Sequence, residues 1–337
     1  MLEWLIIGGG IHGTHLSHCL TSRGGVSRDR ILVLDPGETP LEMWRLRAHN
    51  CGMEFLRSLG IHNLDVDPVS LFTFARTPEG QPYDGFVDVT QPSLALFQAH
   101  AAWVVRRHGL ASLRLVGVAE GLSVGGNGIR VETADGVLGA RRVLLALGPG
   151  EPFWPPWACR LRGWGAPVGN VLDQDFARHA LPAWSHAVVV GGGITAAETA
   201  LTLARRSPGT VTLLARHPLR QHQYDAHPKW FGWAADTFSR VGDLRHRRAI
   251  IQSERHRGSA PPEITQALHS AAAHGLLELR TGEVIEADYT QPGQIRLCLA
   301  GETGAIMSDC VILATGFRYE RPGGVGWTAP SPSLACL

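Results

Sequence analysis

At 337 residues with 44% of them hydrophobic, the chain carries enough apolar side chain for two cores, which excludes global disorder. Its 31 basic and 30 acidic residues leave a formal charge of +1, so no whole-chain field draws it to nucleic acid or anionic lipid, and any recognition of anions must be local. The six cysteines are dispersed without a C-x-x-C pair, which removes a vicinal redox disulfide and suits a reducing, cytoplasmic setting. The start of the chain runs through Glu3 into apolar residues with no basic leader or cleavage site. Apolar runs elsewhere are broken by glycine or charge well short of the roughly 20 residues of a membrane helix. The expectation is a soluble protein with neither a membrane nor a nucleic-acid partner, association into homo-oligomers being left open.

In chain order, Leu2–Ile7 reads as a buried parallel strand, Ile11–Arg23 as a helix and Ile31–Leu34 as the next strand, a β-α-β unit. Between strand and helix stands Gly8-Gly9-Gly10-Ile11-His12-Gly13, which satisfies G-x-G-x-x-G. Gly8 permits the tight turn, Gly10 lets a pyrophosphate approach the backbone, and Gly13 brings the helix close to the strand. The helix N-terminus, from Ile11 and His12 onward, offers free N–H groups to phosphate. Asp35 lies 22 residues after Gly13, at the end of the second strand. A carboxylate there accepts from an adenosine ribose and repels a 2′-phosphate, which fits FAD or NAD and argues against NADP.

Further along, Ile129–Thr133 and Val137–Ala140 flank Ala134-Asp135-Gly136 as a hairpin, expected to form a small antiparallel sheet covering the main one. The strand Val143–Gly148 then runs into glycine, and turn-rich segments over 150–156 and 170–186 put a domain boundary near residue 170.

The pattern then repeats. Ala187–Val190 is a strand, Gly191-x-Gly193-x-x-Ala196 a second glycine motif, Ile194–Arg206 a helix stopped by Ser207-Pro208-Gly209, and Thr210–Leu214 the partner strand. The acidic residue is missing here, and Arg216 stands in its place. Arginine pairs with a 2′-phosphate through charge-assisted bonds, with His217 or Arg220 as neighbours, so opposite charges at matched positions favour FAD first and NADPH second. Helices are expected over Pro228–Val241 and Pro261–His274, and Val311–Gly316 repeats the strand-into-glycine ending. The fold class is therefore α/β, with two Rossmann-like dinucleotide-binding domains in series, each with a small antiparallel β meander. Residues 1–170, with a return segment at 317–337, form the first domain, and residues 171–316 form the second.

Three weaker constellations have simpler readings. His12, His15 and His18 follow an i, i+3, i+6 spacing that can hold a metal, but the phosphate turn and the sheet already claim that helix, so no metal is assigned. Trp230, Phe231 and Trp233 either line a pocket or anchor a long loop to its own domain. The basic run from Arg245 to Arg257 reads as a solvated helix face.

On LIIGGGIHG, VVVGGGITAAE, Ile312–Phe317 and, more loosely, Met43–Leu59, the sequence resembles the two-dinucleotide-binding-domain flavoproteins, most closely the N-hydroxylating monooxygenases of lysine and ornithine. The resemblance covers most of the chain. It implies that Trp44 lies near the flavin ring, that Phe55–Leu59 forms a short helix, and that Gly148 and Gly316 lie near the cofactor crevice. Where the family carries a glutamine before that helix, this chain has Gly52, and the F-x-G-x-x-x-H signature of other flavin monooxygenases is absent. Relatives continue past the ATGF motif with a strand and helix, whereas Arg321–Leu337 reads as a Gly/Pro/Ser-rich tail, so weaker FAD binding is expected.

The resulting expectation is an FAD-dependent, NADPH-using monooxygenase that transfers one oxygen of dioxygen to a nitrogen or sulfur of a small-molecule substrate, with no catalytic acid or base identified. The alternatives are a flavin reductase serving a quinone or protein acceptor, and a non-catalytic dinucleotide-binding module.

Overall fold

The apolar run Leu2–Ile7 forms strand β1, with Leu5 and Ile6 fully buried, in a computed structural model that describes residues 1–320 except 84, 88, 89, 207, 208 and 292. The tail 321–337, most of the expected return segment, and the Ser207-Pro208 helix stop lie outside the described residues. The chain divides into two units. The first comprises Met1–Ala48, Glu54–Glu151 and the residues from Phe317, and the second His49–Met53 and Pro152–Gly316.

In the first unit β1 leads into α1 (Ile11–Ser22) and β2 (Ile31–Asp35), followed by α2 (Glu42–Cys51), whose last residues belong to the second unit. Next come α3 (Leu94–Arg107), β3 (Arg114–Val116), β4 (Gly121–Gly125), β5 (Gly128–Thr133) and β6 (Gly136–Leu145). The sheet order is β3-β2-β1-β6-β5-β4, parallel from β3 to β6 and antiparallel beyond. The hairpin is thus not a sheet of its own. β6 is one long strand that pairs with β5 over residues 136–140 and with β1 over 140–145, merging two segments the sequence pattern separates. The hairpin does cover the sheet, because Ile129, Val131 and Leu138 share one apolar core with Leu5, Ile7 and Leu34. α1 buries Gly13, Thr14, Ser17 and His18, small or polar residues that allow close approach.

The expected helix over Phe55–Leu59 does not form. Phe55 instead bridges to Ser93, Leu94 N donates to Glu54 O at 2.8 Å and Leu56 N donates to Pro92 O at 2.9 Å, so this segment's backbone bonds go to a neighbouring strand-like stretch.

The second unit contains α4 (Pro156–Gly163), β7 (Val168–Asn170), β8 (His186–Val190), α5 (Ile194–Arg206) and β9 (Thr210–Ala215). Then follow α6 (Trp233–Ser239), α7 (Leu244–Glu254), α8 (Pro262–Ala273), β10 (Glu278–Thr281), the meander β11 (Val284–Gln291), β12 (Gln294–Leu299) and β13 (Ala305–Ser308), and β14 (Cys310–Leu313). The main sheet, β10-β9-β8-β14-β7, is wholly parallel, and the meander is a separate sheet. Trp157 and Leu161 of α4 and Ile295 and Leu297 of the meander pack with Val188, Leu214 and Val311 of the main sheet in one core. The division falls at Glu151, earlier than the boundary near residue 170, because β7 pairs with β14 and α4 packs under the meander. The helix expected over Pro228–Val241 is broken at Gly232, leaving a short 3-10 turn at Pro228–Phe231 before α6. α7, which carries most of the basic run, buries none of its residues and is capped by Asp243, which accepts from Arg245 N and His246 N. Among the described residues no helix is long and apolar enough to cross a membrane.

A buried polar chain pins α1 to its surroundings. His18 Nε2 lies 3.0 Å from Asp65 Oδ1 and its Nδ1 lies 2.8 Å from Ser22 Oγ, while Ser70 Oγ donates to Asp65 Oδ2 at 2.7 Å and sits 3.0 Å from His100 Nε2. Burial pushes His100 down to about 4; burial also raises the Asp65 carboxyl, but hydrogen bonds from Ser70, His18 and Val66 N outweigh it and hold Asp65 at about 2. In both windows the unfolded chain binds more protons than the folded one, so stability rises with pH. Urea unfolding followed across pH is expected to show a first loss between pH 6.5 and about 4, led by His100 and joined by His49, His62 and His108, which burial also lowers, and a second toward about 2 from Asp65. His100→Gln, which retains an amide toward Ser70, should flatten the first limb, worth up to about 3 kcal/mol. An unchanged first limb would show that His100 does not cause it.

Candidate functional site

In the first glycine motif each glycine meets a distinct steric demand. Gly8 adopts φ 106°, and a Cβ there would lie 2.2 Å from the Ala146 carbonyl oxygen, while its N–H donates to Leu34 O at 2.8 Å. A Cβ on Gly13 would lie 1.8 Å from the Gly8 carbonyl oxygen, which is what brings α1 down onto β1. At Gly10 the place of a Cβ has nothing within 4 Å among the described residues. Gly10 is also the N-cap of α1, with no side chain bonded to the cap and no acidic residue in the first turn, which Ile11 and His12 open. A helix N-terminus with an open face and no competing carboxylate suits a phosphate.

Asp35 stands at the end of β2 as expected, and its carboxylate is tied into the turn. Oδ2 accepts from Gly9 N at 2.5 Å, and Oδ1 accepts from Gly37 N at 2.9 Å and from Arg114 Nη2 at 3.1 Å. Arg114, on the neighbouring strand β3, was not singled out by the sequence, because its partner lies 79 residues away and no local pattern marks it. Leu41 is a second residue the sequence does not reveal. It holds φ 63°, is buried and donates from its N–H to Gly9 O at 3.0 Å, a strained conformation fastened to the phosphate turn.

Trp44, on α2, is half-buried with its ring 5.1 Å from that of Phe97, and Gly148 follows β6 with φ 72°. The three N-terminal histidines do not converge. His15 Nδ1 faces Leu64 O at 3.0 Å, His12 is exposed, and His18 meets Asp65 and packs against the His108 ring at a 38° tilt with centroids 4.1 Å apart.

The second motif repeats the turn with a different cover. A Cβ on Gly191 would lie 2.4 Å from Ala314 O and 2.9 Å from the Ala196 methyl, so alanine fills the place of the third glycine. Ile194 opens α5. At Gly193 the place of a Cβ is 3.5 Å from Gly258 Cα, and Gly192 and Gly258 both face the His217 ring, so a turn from the later part of the unit lies over this motif. Arg216 is the first residue past β9 and is exposed. Gly316, past β14, holds φ 79° and accepts from Phe153 N at 2.8 Å. Trp230 anchors the insert, its Nε1 donating to Glu254 Oε2 at 3.3 Å, while Trp233 is exposed.

Gly52 holds φ 78°, and a Cβ there would lie 2.0 Å from Thr202 Oγ1, so this packing has no room for the glutamine of the resembling family. Beside it, burial and the Glu198 carboxylate 3.7 Å away push the Cys51 thiol up to about 12, and burial then Asp309 do the same at Cys310. Among the described residues, Cys19, Cys51, Cys159, Cys298 and Cys310 form no disulfide.

The family model of the pyridine nucleotide-disulphide oxidoreductases matches residues 125–325. No curated protein sequence matches the chain. Its fold is similar to that of an ornithine hydroxylase from Pseudomonas aeruginosa, with a TM-score of 0.73 and 16% identity over 96% of this chain and 84% of that one. A cadaverine monooxygenase from Erwinia amylovora, solved with FAD, gives 0.73 and 17% over 96% and 80%. A bacillithiol disulfide reductase from Bacillus cereus gives 0.58 and 18% over 94% and 78%.

The glycine geometry separates two kinds of mutational damage. Gly13→Ala should cost the fold about 3 kcal/mol, since the clash is with backbone. Gly10→Val should cost only about 1 kcal/mol of stability and yet abolish FAD retention. Thermal melts paired with flavin content test this, and a Gly10→Val protein that keeps its flavin would refute the assigned approach.

Proposed function

The chain belongs to the pyridine nucleotide-disulphide oxidoreductase family, and from that premise we propose that it is an FAD-dependent, NADPH-using monooxygenase acting on a nitrogen or sulfur of a small molecule. The observation that carries the flavin half of this reading is the open face at Gly10, on a helix N-terminus free of acidic residues, with Asp35 fixed beside it. The residues fit the group. Gly10, Ile11, His12 and Gly13 would receive the FAD diphosphate, Asp35 its adenosine ribose, and Trp44 and Gly148 would lie toward the ring. In the other unit Gly191, Gly193, Ile194 and Ala196 would receive the NADPH diphosphate, Arg216 its 2′-phosphate, and Gly316 would border the nicotinamide end.

Bound FAD would supply the electron transfer and oxygen activation. The protein's own part is binding and orientation. The helix N-termini hold the diphosphates by backbone N–H groups, and Arg216 adds a charge at the one phosphate that distinguishes NADPH from NADH. Ornithine and cadaverine, the substrates named for two proteins of the same fold, carry nucleophilic amines, which supports nitrogen as the atom to be oxidised.

The second reading, a reductase passing electrons to a quinone or protein, rests on the fold shared with a disulfide reductase. Its disulfide-exchanging form is disfavoured, because the sequence has no C-x-x-C pair and the buried thiols of Cys51 and Cys310 are held at about 12.

Purified protein is expected to show flavin absorption that NADPH bleaches without air, with oxygen uptake coupled to oxidation of an amine. Fast reduction of a quinone with no such coupling would favour the reductase instead. Arg216→Ala should weaken NADPH by about 1.5–3 kcal/mol while leaving NADH nearly unchanged. Equal loss for both nucleotides would remove Arg216 as the reader of the phosphate.

A further inference from the structure

Arg114 is a buried cation with unfilled donors. Its side chain is 6% exposed, yet Nε and Nη1 have no hydrogen-bond partner among the described residues. Only Nη2 is engaged, with Asp35 Oδ1 and the Gly37 carbonyl oxygen. Nη1 stands against the phosphate turn itself, 2.1 Å from the place a Cβ on Gly9 would take. Leaving two nitrogens of a charged side chain, with three N–H groups between them, out of water without acceptors is costly, and buried polar groups are almost always paired. A salt bridge to Asp35 needs only one arm of the fork, so the pair by itself does not explain why the other donors are held at the turn.

The geometry points to Arg114 as a ligand-binding residue of the first dinucleotide site, one that donates from Nε or Nη1 to an oxygen of the ADP half of the cofactor. This rests on the assignment of FAD to that site. Two independent features meet here, a helix N-terminus that attracts phosphate and an under-satisfied guanidinium on the adjacent strand. Paired with Arg114, Asp35 is also electrically compensated. The carboxylate is thereby oriented for a ribose hydroxyl while the arginine takes an acceptor oxygen that Asp35 alone would repel. Lysine does not substitute, because it cannot hold Asp35 with one nitrogen and a ligand with another in the fixed fork of arginine.

Titration of the apoprotein with FAD and with ADP tests the assignment. Arg114→Met is expected to weaken both by about tenfold or more, with Arg114→Lys also impaired. A folded Arg114→Met protein that binds both within about twofold of wild type overturns it. Should Arg114→Met fail to fold, a crystal structure of the wild-type chain with ADP decides. A ligand oxygen within about 3.5 Å of Nε or Nη1 supports the assignment, and its absence overturns it. A wild-type chain that binds neither FAD nor ADP overturns the flavin assignment of the site and this inference with it, whereas binding of both with no dependence on Arg114 removes only the role of Arg114.

Discussion

The close approach of α1 to β1 is the constraint on which the first unit depends. With the Gly8 carbonyl oxygen 1.8 Å from where a Gly13 Cβ would be, any side chain at that contact forces the two backbones apart. The same approach aims the N-terminus of α1 at the open face of Gly10 and brings Gly9 under Asp35, so one steric requirement builds both the packing and the proposed anion site. Supports that hold this arrangement come from far along the chain: Arg114 from β3, Leu41 from the segment before α2, and the His18–Asp65–Ser70–His100 chain from below the helix.

The two glycine motifs are similar in backbone and different in surroundings. The first is open at its middle glycine, with a carboxylate and a buried arginine beside it. The second has a turn carrying Gly258 over it, a histidine ring between, and an exposed arginine past the strand. The two copies of the β-α-β frame thus differ in a few side chains at the strand ends rather than in the frame.

Cys51 and Cys310 are poorly suited to disulfide exchange. Exchange requires a thiolate that is accessible and has its pKa near ambient pH, and Cys51 and Cys310 are both buried and held as thiols. What the rest of the frame retains is dinucleotide binding, which is compatible with oxygen chemistry carried by the cofactor.

The sequence by itself determined the elements whose signal is local. Both β-α-β units, the separate tasks of Gly8 and Gly13, the acidic end of β2 and the cationic residue past β9 follow from short apolar runs, glycine spacing and charge, which act within a few residues. Only the tertiary structure decided the features that depend on distant partners. Phe55–Leu59 has a helical look by family resemblance, yet bonding to residues 92–94 draws it out of helix. β6 became one strand because two different neighbours pair with its two halves. Arg114 acquired its place because β3 lies beside β2, a proximity that no pattern around residue 114 encodes. Local stereochemistry is written in neighbouring residues, whereas burial, pairing and charge compensation arise only when strands far apart in the chain are brought side by side.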